Sequence, residues 1–334
     1  MIPLAGPVKT GKKSMTAVLR MINWLGLALC LLSLILRLPG LSSPSLMIPS
    51  RLVIPALFVC FFDLTIVSVQ LRGTSLRAAT VWARLAILLA ILALYLDRPD
   101  ASGNEFAGLF THICFLAILA SLVSVLGARR PGENAWALLC GIFLVIGLLP
   151  MLEGASLSRR FDVLDQLRLD SPWNYFLALV IFAGISNYLP TRFFMPSVLL
   201  GIGLAYHLRL IWKPDGRSPW RGEYWWILPW CLCLCLLVAS LIAMKKWPQL
   251  SPFLQIWQPF RDAWGAAWAL RVLERFNQSA VRNQWPVRLQ WFGLLREEPR
   301  TMADVEFDEI LARDTLAVFV KRFGEVDRIS KLFN

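Results

Sequence analysis

Apolar runs long enough to cross a bilayer recur along this chain and limit what it can fold into. They cover residues 18–38, 47–70, 78–96, 106–127, 135–152, 173–190, 193–212 and 224–244, and none holds more than two charges. A hydrocarbon core of roughly 30 Å takes about 20 helical residues. Backbone polar groups in lipid must find partners within their own segment, so each run reads as a helix. The expectation is an all-α polytopic membrane protein with about eight transmembrane helices. Composition agrees, because 17% of residues are charged and 57% are hydrophobic, whereas soluble domains carry about 25% charge.

Residues 1–17 form a basic segment, and the flank "KTGKKSMTAVLR" before the first run places it in the cytoplasm. An even number of spans then puts both termini inside, in a bacterial-type plasma membrane. A cleavable signal ending near "LPGLSS" is the less favoured reading, since the apolar run exceeds an ordinary signal core. Pro55 lies inside the run 47–70 and predicts a kink. Trp24, Trp136, Trp173, Trp212, Trp225, Trp226 and Trp247 fall near span ends, where aromatic belts sit.

All seven cysteines lie in apolar runs. In "WCLCLCLL", Cys231 and Cys235 share a helical face while Cys233 points elsewhere, so these three thiolates do not converge on a metal. No metal site is expected.

Three sets of intramembrane polar residues invite a functional reading. Asp63 and Arg84 lie equally far from the turn near Gly73. Helical rise puts both about 10 Å below the same boundary, which predicts an ion pair fixing helix register or, less simply, a proton or cation relay. His112 and His207 are the protein's two histidines and share a depth near the opposite boundary. The simpler expectation is that each imidazole hydrogen-bonds a neighbouring helix or reaches interfacial water. Two imidazoles on different helices are also what bis-imidazole haem b ligation requires, so haem b or a quinone is the cofactor this pair would hold. Asp63, Arg84, Asn187 and the glycine-rich run 193–212 could instead line a small-molecule route.

The remaining polar stretch, residues 245–334, reads as a cytoplasmic α(β)α domain or an interfacial tail. "FRDAWGAAWALRVLERFNQSAVR" is amphipathic, with Trp264, Trp268 and Val272 on one side and Arg271 and Arg275 on the other. It is either an interfacial helix or the core helix of the region. "WPVRLQWFGLL" alternates as one strand or extended segment, which alone cannot make a sheet and predicts a membrane face, a second copy or a partner. Thr301 and Asp304 resemble a capping box, and Leu316, Phe319, Val320 and Phe323 make an apolar stripe.

The net charge of +12 does not imply nucleic acid, because Glu297, Glu298, Asp304, Glu306, Asp308 and Glu309 would repel phosphates. The chain carries no H-E-x-x-H, G-x-S-x-G, G-x-x-x-x-G-K-[ST] or G-x-G-x-x-G. The expected role is a non-catalytic membrane component that anchors or modulates a larger complex through its C-terminal tail. Its partners would be the bilayer and a protein or second copy bound near Trp264, Trp268, Arg271 and Arg275.

Overall fold

A computed structural model describes residues 10–36, 51–96, 101–128, 138, 140–149, 171–212, 225–245, 251–296 and 309–330. The fold is mainly helical. In chain order the elements are α1 (Thr10–Ile35), α2 (Val53–Gln70), α3 (Arg77–Leu96) and α4 (Ala101–Leu126). Next come α5 (Cys140–Leu149), α6 (Ser171–Ser186), α7 (Phe194–Trp212), α8 (Ile227–Ala243) and α9 (Leu254–Arg282). A hairpin of β1 (Val287–Leu289) and β2 (Leu294–Arg296) and the helices α10 (Glu309–Lys321) and α11 (Val326–Ser330) complete the described chain.

Five helices are long and apolar enough to cross a membrane: Val18–Ile35, Val53–Gln70, Arg77–Leu96, Ala107–Leu126 and Phe194–Trp212. Cys140–Leu149, Pro172–Ser186 and Ile227–Ala243 are apolar but shorter. Pro55 falls in the first turn of α2, just after an interruption at Leu52 that separates α2 from helical Arg51. The capping pair Thr301 and Asp304 lies outside the described residues, as do Lys9 and the acidic residues 297–308.

The span Ala107–Leu126 is the centre of the bundle. It is 67% buried within the protein, against 22–39% for the other four. Its neighbour α3 presents Ala86, Ala90 and Ala93, all fully buried, at helical spacing. Lipid gives apolar side chains no reason to prefer each other to acyl chains, so helices in membranes associate by close packing and polar links. The small residues let the backbones approach, and two side chains then bridge them. Cys114 Sγ donates to Ala86 O at 3.2 Å, and Ser121 Oγ to Ala79 O at 2.9 Å. Gly203 serves the α7–α8 contact in the same way, since a Cβ there would sit 2.6 Å from Cys231 Cβ.

The C-terminal region builds a second apolar cluster that extends into the bundle. Phe253, Trp257, Phe260, Trp264, Trp268 and Phe276 of α9 and its start pack with Leu316, Val320 and Phe323, and with Leu71, Leu76 and Val125 from the membrane helices and their ends. The strand expected at 287–291 finds its partner within the chain. Val287, Arg288 and Leu289 pair antiparallel with Arg296, Leu295 and Leu294. Gly293, at φ +157, makes the turn. Asn277 serves the other edge of β1, accepting from Leu289 N at 2.7 Å and donating to Leu289 O at 3.0 Å. Neither a second copy nor a membrane face is needed to complete this sheet.

Replacing Gly203 by Val should force α7 and α8 apart. The expected loss is about 1–3 kcal/mol of stability, read as a lowered unfolding temperature of the detergent-purified protein. Val in place of exposed Ile202 is the control and should leave that temperature unchanged.

Candidate functional site

The two histidines meet. Helices α4 and α7 place His112 Nδ1 3.4 Å from His207 Nε2, with both residues 1% exposed. The rings are inclined by 29° with centroids 5.6 Å apart, and Phe115 lies 4.8 Å from His207. His112 Nε2 is 3.5 Å from Gly147 O of α5. A haem iron held by both rings would sit between nitrogens about 4 Å apart, at about 2 Å per bond, with the macrocycle separating the imidazoles. Rings that already contact one another do not fit that arrangement. The pair is a long N–H···N link between helices, one ring donating and the other accepting.

Asp63 turns away from Arg84. Its Oδ2 accepts from Asn23 Nδ2 of α1 and from Ser240 Oγ of α8, both at 2.9 Å. Asn23 also donates to Ser240 Oγ at 2.9 Å, closing a three-helix polar knot. Arg84 is half-buried and makes no ion pair among the described residues. The reason is azimuth. Ser68 faces α3, where Thr80 reaches it at 3.4 Å, and Asp63 lies five residues earlier, about 140° around the helix. Depth matches, but direction does not.

Trp264 and Trp268 lie inside the protein, 0% and 5% exposed. Trp264 Nε1 donates to Ser75 Oγ at 2.9 Å, in the turn between α2 and α3. Trp268 Nε1 donates to Val125 O at 3.0 Å, at the end of α4. Phe323 sits among Phe260, Trp264 and Trp268 with centroids 5.0–5.9 Å away. Helix α9 is therefore a core helix of this region. Arg271 and Arg275 stay on its exposed side.

The helix breaks where it meets the bundle. Gly265 adopts φ +74 and ψ −172, a conformation open to glycine and costly for residues with a Cβ. The chain after Ser186 fills the break. Asn187 O accepts from Ala266 N at 2.7 Å, Asn187 Oδ1 accepts from Ala267 N at 2.8 Å, and Asn187 Nδ2 donates to Trp264 O at 3.2 Å. One residue thus caps both halves of α9, satisfying N–H and C=O groups that a broken helix leaves open. Tyr188 Oη donates to Ala263 O at 3.1 Å. Burial pushes the Tyr188 phenol above its ordinary pKa, which keeps that proton in place.

Beside the break lies a buried ion cluster. Arg261 Nε and Nη2 each approach Asp262 Oδ1 at 2.9 Å, and Arg192 Nε lies 3.4 Å from Asp262 Oδ2. Burial raises the pKa of the Asp262 carboxyl against the pull of Arg261 and Arg192. It also pushes Arg192 down to about 10, so the guanidinium remains charged near neutrality. Trp291 O accepts from Arg261 Nη1 at 2.9 Å and from Trp257 Nε1 at 3.1 Å, while Trp291 Nε1 donates to Pro190 O at 2.7 Å. A third seam completes the lock. Ser75 N donates to Phe323 O at 2.9 Å, and Arg328 Nη1 donates to Arg72 O.

Gly265 carried a signal in the sequence, because an isolated glycine inside a helical pattern marks a break or a close approach. Its counterpart Asn187 carried none, and the structure brings it to Gly265 and not to Asp63. Gly201 packs against Ile185 and Gly203 against Cys231, so these glycines serve helix contact. No protein-family model matches the chain, and no curated protein or solved structure matches it either.

A Cβ at Gly265 would lie 2.2 Å from Asn187 Nδ2. Gly265→Ala should therefore release the C-terminal region, seen as at least severalfold faster cleavage near residues 245–253 in limited proteolysis, with helix content unchanged by circular dichroism. Asn187→Ala keeps the backbone bond to Ala266 N but leaves Ala267 N and Trp264 O without the side-chain amide, and should weaken the same contact by about 1–3 kcal/mol. Asp262→Asn removes the carboxylate that faces Arg261 and Arg192 and should cost about 3 kcal/mol, read in the same assay.

Proposed function

We propose that the chain is an integral membrane protein of eight crossings, and that residues 245–334 form a cytoplasmic domain docked on the helix ends. We further propose a non-catalytic role, in which that domain anchors or modulates a protein partner within a larger membrane complex. Eight crossings are supported by the contacts on the docked face. The turn at 72–76, the end of α4 at Val125, the turn at 187–191 and the C-terminal region meet there. Arg20 near the start of the first span donates to Met244 O at the end of α8 at 2.7 Å. Met244 returns to the side of Arg20 when α8 crosses, and α5 and α6, which start and end on one side, cross as a pair. The basic N-terminal flank supports a cytoplasmic assignment for that side.

The observation that carries the partner reading is the apolar surface the docked region still exposes. Trp264 and Trp268 are used up in docking. Ile310, Leu311 and Val318 remain 66%, 51% and 70% exposed, within about 100° of arc on α10. Phe292 at the hairpin tip is 80% exposed. Helix α10 already buries Ala312, Leu316 and Val320 in its own core, so this second stripe is the surface offered to a partner or a second copy.

Replacing Leu311 and Val318 by Asp tests this reading. Purified in mild detergent from its own membranes, the wild-type chain should run as a larger assembly and the variant as a single chain, each by light scattering corrected for detergent. A wild-type protein that is already a single chain under those conditions would sink the proposal.

A further inference from the structure

Helices α6 and α7 hold a groove of about 740 Å³ between them, with Phe182 and Ile185 on one side and Gly201, Ala205 and Arg209 on the other. Phe182, Ala205 and Arg209 are exposed, so the groove opens outward. Its size is that of a small-molecule site, roughly 300–1,000 Å³. The wall is aliphatic and aromatic apart from Ser186 and Arg209. Ser186 Oγ is occupied, donating to Ala183 O at 3.2 Å. Arg209 carries the one charge in the lining, and it makes no ion pair or hydrogen bond among the described residues. It lies in the last turn of α7. Just beyond it, Tyr175 and Trp212 join the two helices edge to face, with centroids 5.3 Å apart.

Position and length decide what fits. Helix α7 starts beyond the turn at 187–191, which meets the C-terminal region, so its last turn lies at the far end of the bundle. From Gly201 to Trp212 the groove follows α7 for roughly 16 Å at 1.5 Å per residue. Half of a hydrocarbon core of roughly 30 Å has about that depth, so the groove is one leaflet long. The Arg209 stem, one turn below the helix end, is long enough to carry its charge to the headgroup level, where a guanidinium suits a phosphate. A phospholipid brings the chain and the anion in one molecule, whereas a partner helix would need a carboxylate at the depth of Arg209. We propose that this groove holds an acyl chain of an anionic phospholipid in the leaflet opposite the docked C-terminal region, with Arg209 on the phosphate. The proposal rests on the membrane reading above.

The test uses the full-length protein in phosphatidylcholine vesicles that contain a small share of phosphatidylglycerol with a photoreactive diazirine in one acyl chain. Label located by peptide mass spectrometry should concentrate on α6 and α7 around Phe182 and Ala205. Ala205→Phe fills the groove from an exposed position and should lower that labelling at least severalfold. Leu179→Phe, exposed on α6 outside the groove, is the control and should leave it unchanged. Arg209→Gln should lower it about fivefold, as expected for one arginine at an anionic headgroup, without changing the labelling by an equally tagged phosphatidylcholine. Unfolding temperatures equal to the wild type confirm that each variant is intact. Label spread evenly over the exposed faces of the apolar helices overturns the proposal, as does groove labelling that survives both Ala205→Phe and Arg209→Gln. An unlabelled groove in a dimer that Ala205→Phe splits also overturns it, in favour of a helix from a second copy. Membrane insertion is read separately, by resistance of the vesicle-bound protein to alkaline extraction. Insertion without groove labelling sinks the groove alone, whereas extraction sinks the membrane reading with it.

Discussion

Asn187 sits in the gap that Gly265 opens in α9, and its three hydrogen bonds tie two distant parts of the chain into one structure. A broken helix leaves N–H and C=O groups that need partners, and a turn between two apolar helices has polar groups of its own to satisfy. Each supplies what the other lacks. With the break fixed, the first half of α9 lies over the turn at 187–191, and the second half runs toward the end of α4, where Trp268 finds Val125 O. The aromatic cluster around Phe323 fills the space between them.

The joint combines interactions of different kinds. Area burial by Trp257, Phe260, Trp264 and Phe323 supplies the attraction, while indole N–H groups aimed at backbone carbonyls at the helix ends fix the orientation. The ion cluster of Arg192, Arg261 and Asp262 adds specificity more than stability. Burial has moved Asp262 upward and Arg192 downward, so desolvation outweighs attraction for each ion considered singly. Such a cluster is costly to break and gains little when formed. It makes the docked arrangement distinct from nearby alternatives.

Inside the bundle, polar groups work in small closed sets. His112 with His207, and Asn23 with Asp63 and Ser240, join helices far apart in sequence. The depths of His112 and His207, and of Asp63 and Arg84, were legible because each residue of a helix adds a fixed rise, whereas Asn23 and Ser240 carried no signal. Their outcomes differ because of azimuth. The histidines face each other, while Asp63 faces α1 and α8 and leaves Arg84 behind. Matched depth also could not reveal how close the imidazoles come, with 3.4 Å between their ring nitrogens. In the C-terminal region the stripe of Leu316, Phe319, Val320 and Phe323 was readable, with Phe319 only half-buried in the structure, whereas Trp264 and Trp268 were readable only as one face of a helix with an unknown neighbour. The strand at 287–289 was legible too, but its partner at 294–296 follows a turn that depends on Gly293.

The sequence by itself determined the helical class, the positions of most apolar helices within a few residues, and the amphipathic character of the C-terminal region. These follow from local rules: the cost of unsatisfied backbone in lipid, the length needed to cross it, and periodicity along a single helix. Only the tertiary structure decided which polar groups meet, where α9 breaks, and that its tryptophans face the ends of the membrane helices. Those depend on rotation about helix axes and on contacts between residues separated by 70 positions or more, such as Asn187 with Trp264. No local pattern encodes either, because many rotations bury equal apolar surface and only the packed whole selects one.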